Sequence, residues 1–562
     1  MVPDSSVGFA PADWVLFLLT GVFLLATFAW RPGVQHAFSV LAKRARLCIA
    51  LLFLLSIILR LLLLPHHPVP SPDVFEEFGH LLVADTLLHG RLANPPHALS
   101  PFFETIFVVQ QPTYSSIFPL GLGLLLALGR LLSGTPWTGV LIASGGFCAC
   151  CYWMLRAWVT PSWALLGGIF AVIEFGPLCP WTNSYWGGHL TAIGGCFVFG
   201  ALPRLRMYGR IRDAILLGSG CGMILLTAPF ESVLLFPTIA LFLVSGAEQW
   251  DRPTNLVRVA VFAFAALMPA VLLVLLQNRA VTHNWTTLPL QVSRYQYGVP
   301  ASLTIEPNPT PHSALTPAQE INYKAQALQH GSSRDSITKF LVRLEYRVRY
   351  YRFFLLSPLY LPLIAFFFSL HKGRVRWVAA TLTVFVIGTN VLPGFTVQDL
   401  AAITCLFVLV SIVGLQQLSR IRLRGVSVGG EICRVLIVLC LADFMTWYVL
   451  HLFESPVVYP VLQYETWDSI NHENPERRIR VRRQIETIKG NLLVVVRYSP
   501  HHAYQNEWVW NEADIDASRV IYARDLGPAE DEKLIRHYSN RKVFLLEPDA
   551  PVPQLSEFIE EP

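Results

Sequence analysis

Asp73-Val-Phe-Glu76-Glu77-Phe78 stands just after a hydrophobic run that ends at Leu64, and this junction decides the reading of the whole chain. Five acidic residues lie between His66 and Thr113 (Asp73, Glu76, Glu77, Asp85 and Glu104), and one basic residue, Arg91, accompanies them. Carboxylates held at a bilayer surface are what a membrane enzyme needs to bind a divalent metal or to take a proton from an acceptor. A solvated loop that happens to be acidic is the plain alternative.

The surroundings of this stretch are membrane. Of the 562 residues, 53% are hydrophobic and 14% charged, against about 25% charged in soluble domains; mean hydropathy is +0.46. The chain reads as a polytopic membrane protein. The N-terminus lacks a basic start and a small-residue cleavage site, so no cleavable signal peptide is expected. All ten cysteines lie in or beside apolar segments without metal-ligand spacing and read as small core residues. A net charge of +5 suggests no nucleic-acid partner.

About 20 apolar residues cross the hydrocarbon as a helix. Candidates lie at 13–30, 45–64, 114–133, 137–155, 162–179, 186–202, 213–227, 231–246, 256–276, 352–370, 376–393, 397–417 and 433–452. Lys and Arg mark the short cytoplasmic loops. With Arg31, Lys43, Arg44 and Arg46 inside, the acidic stretch is outside. If 114–133 crosses, the clusters Arg204 to Arg212, Lys372 to Arg376 and Arg420 to Arg424 all fall outside; if it does not, all three return inside. The segment is therefore expected to be interfacial or re-entrant, and its Pro119, Gly121, Gly123 and Gly129 make it a poor spanning helix. The alternative is a plain span with broken charge statistics. The expected architecture is an α-helical polytopic bundle over 1–454 with about twelve crossings, one interfacial helix and outer loops at 65–136 and 277–351. Residues 455–562 are expected to form a small extracytoplasmic α/β domain. A charged helix from Glu476 to Lys489, strands at Leu492–Tyr498, Arg519–Ala523 and Lys542–Glu547, and a helix from Pro528 to Tyr538 carry that second expectation.

Three constellations converge on the outer side. The turn Trp181-Thr-Asn183-Ser-Tyr185-Trp186-Gly-Gly-His189 is dense in aromatic and amide groups, which suit either a membrane interface or a sugar, and its double glycine serves close approach or packing. Glu231 opens a short apolar helix, as either an intramembrane functional acid or a satisfied structural group. Lys339, Arg343 and Arg347, spaced by four, present one basic helical face to a lipid phosphate or to anionic headgroups.

These motifs together resemble the membrane glycosyltransferases of the GT-C class, to which aminoarabinose transferases and protein O-mannosyltransferases belong. They are closer still to bacterial membrane proteins with a dolichyl-phosphate-mannose-transferase-like domain, a largely uncharacterised group. The likeness rests on Glu76-Glu77-Phe78, Gln110-Gln111-Pro112-Thr113-Tyr114, Asn183-Ser184-Tyr185-Trp186-Gly187-Gly188, Ala228-Pro229-Phe230-Glu231 and Glu507-Trp508-Val-Trp-Asn511-Glu-Ala-Asp514-Ile-Asp516, and it spans nearly the whole chain. Three positions depart from the pattern. Glu76 replaces the usual Asp, Ala228 stands where an Arg is expected, and Asp399-Leu-Ala-Ala-Ile403 stands for His-Tyr-Ala-Ala-Pro.

The resemblance implies transfer of a sugar from a polyprenyl-phosphate donor to a glycan, lipid or protein acceptor at the outer face of a bacterial inner membrane. Glu76 or Glu77 would act as general base or hold a divalent cation, Mg or Mn. Gln111, Tyr114, Asn183, Tyr185, Trp186, His189 and Glu231 would line the sugar or acceptor site, and Arg343 and Arg347 would steady the leaving phosphate. Two alternatives stand beside this reading: a lipid-linked sugar transporter or flippase, and a catalytically inactive scaffold of the same fold.

Overall fold

The computed structural model describes residues 31–72, 74–244, 253–331, 335–422, 424–425, 427–452, 476–503 and 506–558. Asp73 and the candidate span 13–30 lie outside them, as does the start of the expected C-terminal unit, 453–475. The bundle side begins with α1 (Arg31–Lys43), α2 (Ala45–Leu62) and α3 (Phe75–Leu88). A two-stranded antiparallel pair, β1 (Val108–Val109) and β2 (Ser115–Ser116), follows. Then come α4 (Leu120–Ser133), α5 (Trp137–Leu155), α6 (Pro161–Phe175), α7 (His189–Tyr208), α8 (Ile211–Thr227), α9 (Pro229–Val244) and α10 (Pro253–Thr282). The second long loop carries α11 (Pro289–Tyr297), α12 (Pro317–His330) and α13 (Ile337–Arg347), after which α14 (Tyr360–Phe367), α15 (Gly373–Thr389), α16 (Thr404–Leu418) and α17 (Val428–Leu452) return to apolar sequence. The last unit holds α18 (Glu476–Thr487), β3 (Leu492–Val496), β4 (Val520–Arg524), α19 (Pro528–His537), β5 (Lys542–Leu546) and β6 (Leu555–Glu557).

The protein is an integral membrane protein. Five described helical segments are long and apolar enough to cross a bilayer: Ala45–Leu62, Trp137–Leu155, Leu256–Thr282, Val397–Leu418 and Val428–Val449. Shorter apolar helices, α4, α6 and α9 among them, fill in the bundle. The candidate span at 352–370 is not one straight helix. Ile337–Phe354 and Ser357–Phe367 meet at 110°, where Pro358 and Pro362 interrupt the apolar run. Nor is 114–133 helical throughout, because β2 and Pro119 precede a helix that starts only at Leu120.

Close helix approach needs small residues where no aqueous force drives the helices together. Gly195 on α7 faces the Ala402 carbonyl so closely that a Cβ would overlap it. Thus α7 and the segment 397–403 pack at backbone distance. Nine of the ten cysteines are buried and all ten are free thiols, in keeping with their reading as core residues.

Residues 476–557 form a four-stranded sheet in the order β4-β3-β5-β6, parallel except for the β6 edge. The continuous apolar run of β3 makes it the central strand, and all five of its residues are buried. Its alternation divides two cores. Leu492, Val494 and Val496 face Val481 and Ile485 of α18. Leu493, with Ile521 and Ala523 of β4, faces Leu534 of α19 and also Leu82, Phe102, Phe103 and Tyr114 of the acidic loop. One face of the sheet is therefore covered jointly by α19 and by the acidic loop.

Candidate functional site

Helix α3 places Glu76 and Glu77 in its first turn, where the dipole favours carboxylates. The two neighbours lie about 100° apart around the helix and take different roles. Glu77 is buried; its Oε1 accepts the Tyr185 amide at 2.8 Å and its Oε2 the Val74 amide at 3.3 Å. It therefore caps its own helix and fixes the aromatic turn against it. Glu76 meets its own backbone N–H and the neighbouring Glu77 charge, and burial pushes its carboxyl up to about 7. A largely buried carboxyl that ionises near neutrality is suited to exchange a proton.

Each Glu77 oxygen accepts one amide and keeps a second lone pair, so Glu76 and Glu77 are the residues that would hold an ion, whose other ligands would come from water and a substrate phosphate. A second cluster, His97, Asp516 and His537, brings three ligand atoms within 4.8 Å of one another. The Leu99 amide donates to His97 Nδ1 at 2.9 Å, so the neutral ring carries its proton on Nε2, 3.2 Å from Asp516 Oδ1. Tyr538 donates to the same Asp516 oxygen at 2.6 Å. Those bonds make the cluster a clasp between the acidic loop and the C-terminal unit.

The aromatic turn is held from below. Arg60, an arginine inside the apolar helix α2, donates from Nε to Asn183 Oδ1 at 2.7 Å and from its terminal nitrogens to the His67 and Pro68 carbonyls. Asn183 Nδ2 donates to the Pro177 and Cys179 carbonyls at 2.9 Å each. Asn183 is thus a hub of the turn, and Arg60, which the sequence reading passed over, is its anchor. The signal was there: a charge within a spanning segment. Tyr185 donates its hydroxyl to the Pro70 carbonyl at 3.1 Å. Trp186 leaves its indole N–H buried with no hydrogen-bond partner among the described residues, a donor available to a ligand.

His189 does not line an open site. It is 1% exposed, donates from Nε2 to the Phe175 carbonyl at 2.8 Å, and packs edge-on to Trp181. The double glycine explains the position: Gly188 has φ +107, and a Cβ there would run into the Trp181 ring. Its role is packing of that ring.

Two motifs far apart in sequence meet. Glu231 Oε2 accepts the Ala402 amide at 2.8 Å, its Oε1 is buried without a partner, and Asp399 lies within electrostatic reach of both Glu231 and Arg347. Arg343 and Arg347, expected on a phosphate, also bond to the protein itself. Arg343 pairs with Asp335 and donates to Asn390 O at 2.7 Å. Arg347 is buried and donates to the Thr389 and Leu392 carbonyls. These bonds stitch α13 to the end of α15. Gln111 is exposed, and its carbonyl accepts from Gln296. Tyr114 is buried and donates to the Asn511 carbonyl at 3.2 Å.

The run Glu507 to Asp516 locks the sheet to α3. Trp510 donates to the Phe78 carbonyl at 3.2 Å, and the Ala513 amide donates to Asp85 Oδ2 at 2.7 Å. Asp85 Oδ1 accepts from Arg130 of α4 at 2.9 Å, so one carboxylate joins α3, α4 and the C-terminal unit. Glu507 takes both Arg524 and Tyr498, and Arg524 reaches on to the Glu104 carbonyl at 2.8 Å.

A helical bundle whose first long loop presents a buried acidic helix, backed by a docked α/β unit, has the fold of the GT-C membrane glycosyltransferases. One solved structure bears this out at the level of fold, and two more are similar to a lesser degree. ArnT from Cupriavidus metallidurans bound to undecaprenyl phosphate superposes with a TM-score of 0.50 at 7% identity, covering 89% of this chain and 92% of that one. Its apo form gives 0.49 at 10% identity, over 92% and 93%. The oligosaccharyltransferase of Archaeoglobus fulgidus in its apo form gives 0.44 at 12% identity, over 89% of this chain and 69% of that one. No protein-family model and no curated protein matches the sequence.

Proposed function

We propose that this protein is a membrane glycosyltransferase that moves a sugar from a polyprenyl-phosphate donor to an acceptor hydroxyl at the outer face of a bacterial inner membrane. The observation that carries the reading is Glu76: a carboxyl raised to about 7 by burial, beside a partner carboxylate that holds the aromatic turn in place. Ionised Glu76 takes the proton of the acceptor hydroxyl as its oxygen bonds to the anomeric carbon, and the lipid phosphate leaves with the electron pair of the broken C–O bond. Tyr185 and Trp186 line the sugar side, and Trp186 Nε1 supplies a hydrogen bond to the donor. Glu77, Asn183 and Arg60 position this surface without touching substrate. A divalent ion at Glu76 would add electrostatic neutralisation of the phosphate.

The test uses purified protein in lipid with a panel of polyprenyl-phosphate sugars and follows release of polyprenyl phosphate. Release that Glu76→Gln abolishes in a folded protein supports a transferase. Tight donor binding without release, unchanged by Glu76→Gln, would replace it with a carrier or an inactive scaffold.

A further inference from the structure

Helix α13, at the end of the second long loop, keeps an exposed apolar edge. Ser336 caps the helix, its Oγ accepting the Lys339 amide at 3.2 Å. From there Ile337, Leu341 and Leu344, continued by Val348, recur at steps of four, three and four, which lines them along one side. Ile337 is 82% exposed, Leu341 56% and Val348 52%, while Leu344 is half-buried. Lys339, Val342 and Tyr346 form the other exposed side, with Thr338 and Glu345 at the boundary between the two. A single exposed aliphatic residue needs no explanation, but a row of them along one helix does.

The surroundings of α13 say what meets that edge. Its third side, with Phe340, Arg343 and Arg347, is fastened to the end of α15. Arg343 and Arg347 donate to the carbonyls of Asn390 and Thr389, and Asn390 Nδ2 donates back to the Phe340 carbonyl at 2.8 Å. The helix is thereby held at the level where α15 ends. Its direction is set by the bend: Ile337–Phe354 and Ser357–Phe367 meet at 110°. Helix α14, apolar throughout, exposes Leu361, Ile364 and Phe368 at spacings of three and four, as a lipid-facing helix does. With α14 upright in the bilayer, α13 runs close to the bilayer plane. Its apolar edge is then continuous with the lipid-facing surface of α14. A helix apolar along one side and basic along another lies in this way at a membrane interface.

We propose that α13 is an interfacial helix whose Ile337, Leu341 and Val348 edge is seated among the acyl chains of the leaflet bordering the second long loop. The contact is apolar and is made by the edge beside the basic face, not by the basic face itself. It anchors the loop to the bilayer through α13 as well as through α10 and α14 at its two ends. The proposal stands whether or not the protein transfers sugars.

The experiment uses the wild-type full chain in phosphatidylcholine vesicles and needs no engineered residue. A lipid-soluble diazirine delivers carbene from the acyl region, hydroxyl radicals attack from water, and mass spectrometry reads both. Leu272 of α10, 52% exposed on a spanning segment, is the lipid reference, and the exposed Leu526 of the C-terminal unit is the water reference. Ile337 and Leu341 are expected to take carbene as Leu272 does and to be oxidised several-fold less than Leu526, while Tyr346 is oxidised readily. Adding phosphatidylglycerol is expected to change neither result. Leu341→Glu is expected to lower carbene labelling of Ile337 several-fold; should it not fold, Leu341→Gln is expected to do the same to a lesser degree. Oxidation of Ile337 and Leu341 at the level of Leu526 would overturn the proposal. Carbene labelling only with phosphatidylglycerol present would assign the contact to the basic side chains and overturn it too. Protection from both reagents would assign the edge to a second copy or another protein, with the same consequence.

Discussion

At the scale of the residue, two adjacent glutamates show how little adjacency says about role. Glu77 is bound by two amides, whereas Glu76 is held beside it with a raised proton affinity. Between the ordinary carboxylate range and about pH 7 the folded protein holds a proton on Glu76 that the unfolded chain has lost. This group's contribution therefore favours the folded state at low pH and fades as pH rises through 7. The expected outcome is a melting temperature that falls between pH 5 and 8, with Glu76→Gln flattening that slope. The transfer rate should run the other way, rising through an apparent pKa near 7 as the base ionises; a pH–rate profile flat from 6 to 8 would remove Glu76 as the base. Arg347→Gln is expected to cost stability, about 1–3 kcal/mol for each buried carbonyl left without its donor, as read by thermal unfolding in detergent. A raised KM for the donor at unchanged stability would instead return Arg347 to the phosphate. These residue roles were only half legible in sequence. Spacing put Arg343 and Arg347 on one face, but nothing local revealed that the partners of that face are Asp335 and the carbonyls of 389–393. Arg60 was visible as a charge in an apolar run, yet its partner Asn183 lies 123 positions away.

At the scale of the element, helix α3 is the piece everything else converges on. Its start is tied to the turn at Tyr185, its middle to Trp510 through the Phe78 carbonyl, and its end to α4 and the sheet through Asp85. Trp510→Ala or Asp85→Asn is expected to speed amide hydrogen exchange across 75–88 while leaving the exchange of α16 unchanged. Equal protection in variant and wild type would show that the bundle alone orders α3. The C-terminal strands and helices were readable because a run such as Leu492–Val496 has one stable solution, a buried parallel strand. What could not be read is that part of the covering of one sheet face comes from Phe102, Phe103 and Tyr114, hundreds of positions earlier. Alternation announces that a face is apolar and is silent about what covers it.

At the scale of the whole molecule, charge and hydropathy give a topology with the acidic loop and the C-terminal unit on one side and the Arg204 to Arg212 cluster on the other. The contact between Asp85 and Ala513 requires the first two to share a side, which agrees with that reading. Single cysteines placed at Gln111 and Lys533 in a background lacking the native thiols should react with an impermeant reagent added outside intact cells, and one at Arg210 should not. Labelling of all three, or of Arg210 alone, would invert or break the topology. The general class was legible from composition, and the motifs named the fold; the number of crossings was not, because α4, α6, α9 and the bent pair around Pro358 are too short or too angled to be counted by hydropathy.

The lock between Asp85 and Ala513 also bears on biosynthesis. During translation α3 and α4 emerge long before residues 507–516 exist, and until then Asp85 has Arg130 but lacks the second donor that completes it. Tyr114 likewise waits for the Asn511 carbonyl. A chain stopped before this run would leave the acidic loop unfinished, with Phe102 and Phe103 lacking their partners on β3, β4 and α19. Coupling of this kind makes the acidic loop wait for the end of the chain: residues 507–516 complete contacts that residues 85 and 114 begin.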